Sequence, residues 1–445
     1  MKHGLRTLFR TTLTLFAGAL IAGSTHAAGP DIEHWLTDKG ARVYFVASDA
    51  LPMLDVRIDF DAGHARDPVG QAGLASLVAQ LLDTGADGLD QQEIAETAAD
   101  AGARLSNGTE NDRAWFALRT LSSAAERDAT VALAARILAR PDFPAAAFER
   151  DHRRVQASLR ESLTRPATLA SRGFSSSVFA DHPYGRLATV DTLRAITRDD
   201  LAAFHARHYT ASNAAISIVG DVSRAEAERI ADALTRNLAT GSALPPLDDP
   251  ADPTASEQRF PHPSTQAHIL AGLPGMTRDD ADYFPLLVGN HVLGGGGFVS
   301  RLVREVRDAR GLAYSVYSLL NPQRVRGPFR IGLQTRGSQA DDALEVVRDV
   351  LADFIAHGPT EEEVEAAQNN LIHGFGLRLD SNAKILEYVA LIGFYELPLD
   401  WLERYPEQVA EVTVEDVHDA FVRRINPDHL VVVIAGGDSD PSPEP

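Results

Sequence analysis

The chain has no cysteine. That excludes disulfides, thiolate metal sites and a cysteine nucleophile, and leaves stability to packing and hydrogen bonding. It is also short of positive charge: 42 Lys and Arg stand against 62 Asp and Glu, a formal net charge of −20. Such a surface repels nucleic acid and anionic lipid, so neither is expected as a partner. Long apolar runs are missing too. The one apolar run that stands out, Leu13 to Ala22, follows Lys2, Arg6 and Arg10 and precedes Thr25-His26-Ala27. It is too short to span a bilayer comfortably. Charge, apolar stretch and small residues in that order read as a secretory signal over 1–27, with the periplasm as the expected compartment. A retained anchor is the alternative, but no second apolar span follows. Loss of the signal removes three positive charges and leaves about −23.

What is present is ample for two or more domains: 445 residues, 44% of them apolar. The stretch 73–85 reads as a buried helix, because Leu74, Leu77, Val78 and Leu81 recur at i, i+3, i+4 and i+7 and Gly85 stands where a stop belongs. Its polar positions are informative. Ser76, Ala79 and Gln80 have the spacing of an inverted zinc motif, H-x-x-E-H, in which two histidines bind metal and the glutamate activates water. A hydroxyl, a methyl and a carboxamide perform none of that chemistry.

Alternation over 41–60 predicts two strands joined by the Ser48–Pro52 turn, and a helix from Gln91 to Ala101 leads to a strand pair ending near Thr120. Helices follow from Ser123 to Leu163, bounded by Pro144 and Pro166. Thr360 opens a further helix with a capping box, and another period runs over 382–393 to Gly393.

Laid over itself, the chain matches twice. Residues 197–220 align with 413–436, pairing Thr197 with Thr413, Asp200 with Asp416, Arg207 with Arg423 and Gly220 with Gly436. A second match pairs Gly63 with Gly275, Arg66 with Arg278, Asp67 with Asp279 and Leu74 with Leu286. Two matches in the same order indicate a duplication. The expected fold is α+β, two homologous α/β-sandwich halves, each a mostly antiparallel sheet covered by helices. The expected boundaries are an N-terminal half over 28–240, a proline-rich acidic linker over 241–261, a second half over 262–438 and a polar tail over 439–445.

The stretch Gly73–Gly85, the string Asn107-Gly-Thr-Glu-Asn-Asp, the segment His182-Pro-Tyr-Gly-Arg, the repeated Thr-x-x-Asp helix ending in Gly220-Asp221, and Arg307-Asp-Ala-Arg-Gly-Leu-Ala-Tyr together resemble the pitrilysin/insulinase family of zinc peptidases. The likeness covers nearly the whole mature chain and is nearest to the short bacterial and processing-peptidase-like branch. It implies that the family's zinc ligands and general base fall on Ser76, Gln80 and Ala79, with the third ligand on Ser158 or Leu159. It further implies that Arg307 and Tyr314 contact substrate. By residue type alone, Arg307 is a solvated helix end and Tyr314 a packed strand residue.

The function implied is a noncatalytic, substrate-contacting subunit of an exported heterodimeric zinc metallopeptidase acting on peptides. This chain would carry no metal and no catalytic residue of its own; a homologous chain with H-x-x-E-H intact would carry the zinc. The alternatives are a structural or peptide-binding protein of the same fold, and an active metallopeptidase with other ligands. Three lesser features have plainer readings: His205 and His208 with Asp200 as solvating side chains, His182 as a turn former, and Gly294–Gly297 as a flexible loop.

Overall fold

The computed structural model describes residues 29–437. The secretory-signal reading of 1–27 and the tail 439–445 lie outside them. The first half runs β1 Glu33–Leu36, β2 Arg42–Ala47, β3 Met53–Phe60, α1 Leu74–Leu81, β4 Gly85–Ala86, β5 Leu89–Asp90, α2 Gln91–Asp100, β6 Arg104–Thr109, β7 Ala114–Leu121, α3 Ala124–Ala139, α4 Ala145–Ser162, α5 Pro166–Val178, α6 Val190–Ala195, α7 Arg198–His208, β8 Ala214–Gly220 and α8 Arg224–Thr235. The second continues with β9 Ser256–Phe260, β10 Gln266–Pro274, α9 Tyr283–Asn290, β11 Ser315–Leu320, β12 Pro328–Arg336, α10 Ala340–His357, α11 Glu361–His373, α12 Asn382–Tyr395, α13 Trp401–Ala410, α14 Val414–Arg424 and β13 Val431–Gly436.

The strand orders are β1-β2-β8-β3-β7-β6 in the first half and β11-β12-β10-β13-β9 in the second. Read from opposite ends these are one topology. β2 and β8 are parallel, as are β9 and β13, and every other neighbour in the two sheets is antiparallel. The duplicated Thr-x-x-Asp stretch is one device used twice. Thr197 and Thr413 cap α7 and α14, each in a reciprocal pair with the aspartate three residues on, and each helix feeds the strand next to the parallel partner. The mixed α+β class and the two homologous halves are thus as the sequence indicated.

Several local expectations change. β2 and β3 do not pair with each other, because β8 lies between them; a turn as short as Ser48–Pro52 fixes proximity of strand ends but not pairing. The segment 241–261 contains β9, which pairs with β13, so its last part belongs to the second sheet. Gly85 is not a helix stop: α1 ends at Leu81 and Gly85 pairs with Asp90. Nor does Gly393 end α12. It is the point where the helix lies on the Tyr44 ring, and a Cβ there would meet that ring at 2.5 Å.

That last contact is part of an exchange between the halves. α5 leaves the first half and packs on β10 and β13 of the second; α12, displaced by the same 216 residues in sequence, leaves the second half and packs on β2, β3 and β8 of the first. Each sheet therefore has its own helices on one face and the other half's helix on the other. Strands covered on both faces have few exposed positions, and β3 and β8 are buried almost throughout.

Candidate functional site

In α1, Leu74, Leu77, Val78 and Leu81 are buried in the first core, which fixes the rotation of the polar positions. Ser76 Oγ lies 3.2 Å from Thr109 Oγ1 on β6. Ala79 is buried, and the Gln80 amide nitrogen has no hydrogen-bond partner. On α4, Ser158 is exposed and Leu159 packs against the first core, and neither side chain carries a carboxylate. The α4 residues that share a cavity with Gln80 are Arg150, Asp151 and Arg154, in a space of about 360 Å³ also lined by Asp83; Asp151 is the one carboxylate among the three. Its carboxylate is already engaged by Arg150 at 2.8 Å and Arg154 at 2.9 Å. These residues do not fit a zinc ion, which needs imidazole or free carboxylate donors at close range. Among the described residues no group of three or more His, Asp or Glu is placed to hold a metal.

The histidines are structural. His205 and His208 are not on the surface; they are buried, with His205 Nε2 at 2.9 Å from the Leu138 carbonyl and His208 Nδ1 at 3.3 Å from that of Asp61. Burial pushes both down to about pKa 4, so each is neutral at pH 7. Asp200 caps α7 instead of joining them. His182 does form a turn: its Nδ1 accepts from the Tyr184 amide at 3.2 Å, and its Nε2 reaches the Asp248 carbonyl at 3.0 Å.

Arg307 and Tyr314 come together on the surface of the second half. Arg307 sits on a wide helical turn, Val303–Asp308, and Tyr314 just ahead of β11. The guanidinium lies 5.5 Å from the Tyr314 ring centre and 4.8 Å from that of Phe298. Tyr314 is not packed: it is 88% exposed, and Phe298 is 76% exposed. Phe298 was missed by the sequence reading. It follows four glycines that form one π-helical turn, His291–Gly295, and the start of a 3-10 turn instead of a flexible loop. Its signal was an isolated Phe-Val pair in a stretch with no helical or strand period to bury it.

The match to known proteins is extensive. Residues 44–190 match the family model of insulinase, peptidase family M16, and residues 195–371 that of the peptidase M16 inactive domain. A solved structure described as a peptidase M16 inactive domain, from Pseudomonas fluorescens, is 38% identical, with a TM-score of 0.88 over 93% of this chain and 100% of its own. The chain belongs to the M16 peptidase family. The non-peptidase homolog YmxG of Helicobacter pylori is 26% identical over 94% of this chain and 95% of its own length. An uncharacterised zinc protease of Streptomyces coelicolor is 31% identical over 260 residues, a match that spans only 55% of each chain. M16 relatives thus carry both kinds of description.

Two further segments of this M16 chain meet at the seam between its halves. Asp112, the last residue of the Asn107 string, is buried and accepts from the hydroxyls of Tyr184, in the His182 segment, and of Tyr395 on α12, the latter at 2.9 Å. It also accepts from the Arg324 amide at 2.9 Å. Burial and the neighbouring carboxylate push both phenols up, so they stay donors. Beside them is a polar cavity of about 480 Å³ lined by His64, Glu110, Arg113, Arg278, Gln323 and Tyr395. The segments that carried the family resemblance in this region hold the two halves in register.

Proposed function

We propose that this chain is the noncatalytic, substrate-contacting subunit of a two-chain zinc metallopeptidase that degrades or processes peptides outside the cytoplasm. The partner is a homologous chain with H-x-x-E-H intact, which carries the zinc. The observation behind this reading is the side-by-side exposure of Arg307 and Tyr314 in a chain whose α1 holds Ser76, Ala79 and Gln80. A phenol left almost wholly in water, with a guanidinium over its ring, suits the carbonyl oxygens of an extended peptide.

The chain's own contribution is positional. The Arg307 fork holds and orients substrate oxygens, and the Tyr314 hydroxyl donates to an oxygen on which charge grows during amide cleavage. The test is reconstitution with the homologous chain. Tyr314→Phe should preserve pairing yet slow peptide turnover by roughly 10- to 1,000-fold, and Arg307→Ala should also raise KM. A doubly substituted pair that cleaves as fast as the unmodified one overturns the reading. Alone, the dialysed chain should contain no stoichiometric zinc by elemental analysis and show no chelator-sensitive hydrolysis. The export part is checked by mass spectrometry of the mature N-terminus, expected within a residue or two of Ala28.

A further inference from the structure

We infer that the Phe298–Arg307–Tyr314 cluster reads a carboxylate, and that the peptides it takes present an acidic group beside an apolar side chain. The inference deepens the substrate-contact reading and rests on it. Four arginines lie between Ser300 and Gly311, and three have carboxylate partners within hydrogen-bond reach. Arg301 bonds Glu363 at 2.6 and 2.9 Å, Arg304 bonds Glu305 at 3.4 Å, and Arg310 bonds Glu305 at 2.8 Å. Among the described residues Arg307 has only Asp308 as a carboxylate neighbour, at 3.9 Å, beyond that reach. Its donors are therefore still available, in a segment whose four arginines outnumber Glu305 and Asp308.

The rings decide which approach stays open. Phe298 and Tyr314 lie over the guanidinium, the Arg307 side chain keeps 32% of its surface exposed, and the planar edge of a guanidinium matches a carboxylate in bidentate fashion better than a single carbonyl. The same two rings, with Val299 at 76% exposure, form an apolar surface next to the fork. A ligand that satisfies both has its carboxylate and an apolar group adjacent, as an Asp-Phe step or the free C-terminus of a peptide ending in Phe does. The chain's overall negative charge works against long-range capture of acids. Selection must then occur at contact distance, and raised salt should reduce the preference by screening the exposed pair.

The probes are fluorescein-labelled octapeptides of Ala and Ser, blocked at both ends, carrying Asp-Phe, Asn-Phe or Asp-Ala, and one ending in Phe with either a free acid or an amide. Binding to the intact chain is read by anisotropy. The Asp-Phe peptide should bind at least about tenfold more tightly than the Asn-Phe peptide, the size expected for one charge-assisted pair. Arg307→Gln should erase that difference, Phe298→Ala should weaken the Asp-Phe peptide toward the Asp-Ala one, and Tyr314→Phe, which keeps the ring, should leave the preference unchanged. The terminal acid and amide pair shows whether a chain end serves as well as a side chain. Equal binding of Asp-Phe and Asn-Phe, a preference that survives Arg307→Gln, or no binding of any probe overturns the inference. Should Asp-Phe and Asn-Phe bind alike while Tyr314→Phe still slows the reconstituted pair, the carboxylate reading fails and the subunit reading stands; the reverse pattern removes the catalytic contribution and leaves the binding specificity.

Discussion

The two halves build one topology and then treat the outer face of their middle strand in opposite ways. On β10, the face turned to α5 carries His268, Leu270 and Gly272, and Leu270 joins Ala170, Phe174 and Val178 of the helix and Val433 and Ala435 of β13 in a small apolar core. On β3, the face turned to α12 carries Asp55, Arg57 and Asp59, all buried. Asp59, with no exposed surface, takes three hydrogen bonds of 2.8 to 3.1 Å from Arg57 and an ion pair from Arg113 at 3.2 Å. Arg57 also reaches Glu387 on α12 at 3.2 Å, and Arg119 holds Asp55 at 2.6 Å. An apolar seam gains from area and tolerates sliding, whereas a charged seam holds only when each donor meets its acceptor. One helix is thus held by burial, the other also by geometry.

The most damaging way to probe that contrast is to break one seam at a time. Asp59→Ala removes the carboxylate shared by two buried guanidiniums, leaving Arg57 with Glu387 and Arg113 with Glu110, and should cost about 3 kcal/mol. Phe174→Ala opens a cavity in the apolar seam and should cost a similar ~3–5 kcal/mol. Urea midpoints measure both. A loss below about 1 kcal/mol for Asp59→Ala would mean the charged face is solvated in practice, and the contrast would collapse.

A smaller effect is expected where the seams converge. Tyr184→Phe removes one of the donors to the buried Asp112 carboxylate and should cost about 1–3 kcal/mol, as should Tyr395→Phe. Because both hydroxyls meet one carboxylate, the double replacement should depart from the sum of the two, and simple additivity in a double-mutant cycle would show that they act independently.

Acid should separate the halves by direction. His205 and His208 lie on α7, and the equivalent positions of α14 hold Phe421 and Arg424. Both histidines are pushed down to about pKa 4 by burial, from an unfolded value of 6.5. The unfolded chain takes up their protons first, so the stability of their neutral packing is complete above about pH 6.5 and is lost as pH falls toward 4. Asp67, raised to about 6 by burial, acts the other way over the lower part of this range and offsets part of the loss. Amide exchange at about pH 5 should open α7 before α14; simultaneous opening would show that the halves unfold as one unit. The smallest effect belongs to α1: Ser76→Ala removes a single part-buried contact and should change stability by no more than about 1 kcal/mol.

Much of this protein was determined locally and could be read in one dimension. The amphipathic face of α1 and the capping pairs Thr197/Asp200 and Thr413/Asp416 depend on residues within a few turns of one another, and all of these appear in the fold. So did the emptiness of the motif positions, since Ser76, Ala79 and Gln80 lack imidazole or carboxylate whatever surrounds them. What remained depended on contacts between distant parts of the chain. The insertion of β8 between β2 and β3, the α4 side chains that share a cavity with Gln80, and the burial of His205 and His208 are set by long-range pairing and packing that no local period encodes. The same holds for the exchange of α5 and α12 and for the placing of Phe298 against Arg307. Composition and spacing determined which chemistry this chain lacks; only the tertiary structure decided which charges would be buried in pairs and which arginine would be left with its donors free, because an ion pair or a stacked ring depends on separations of a few ångströms between residues the sequence keeps apart.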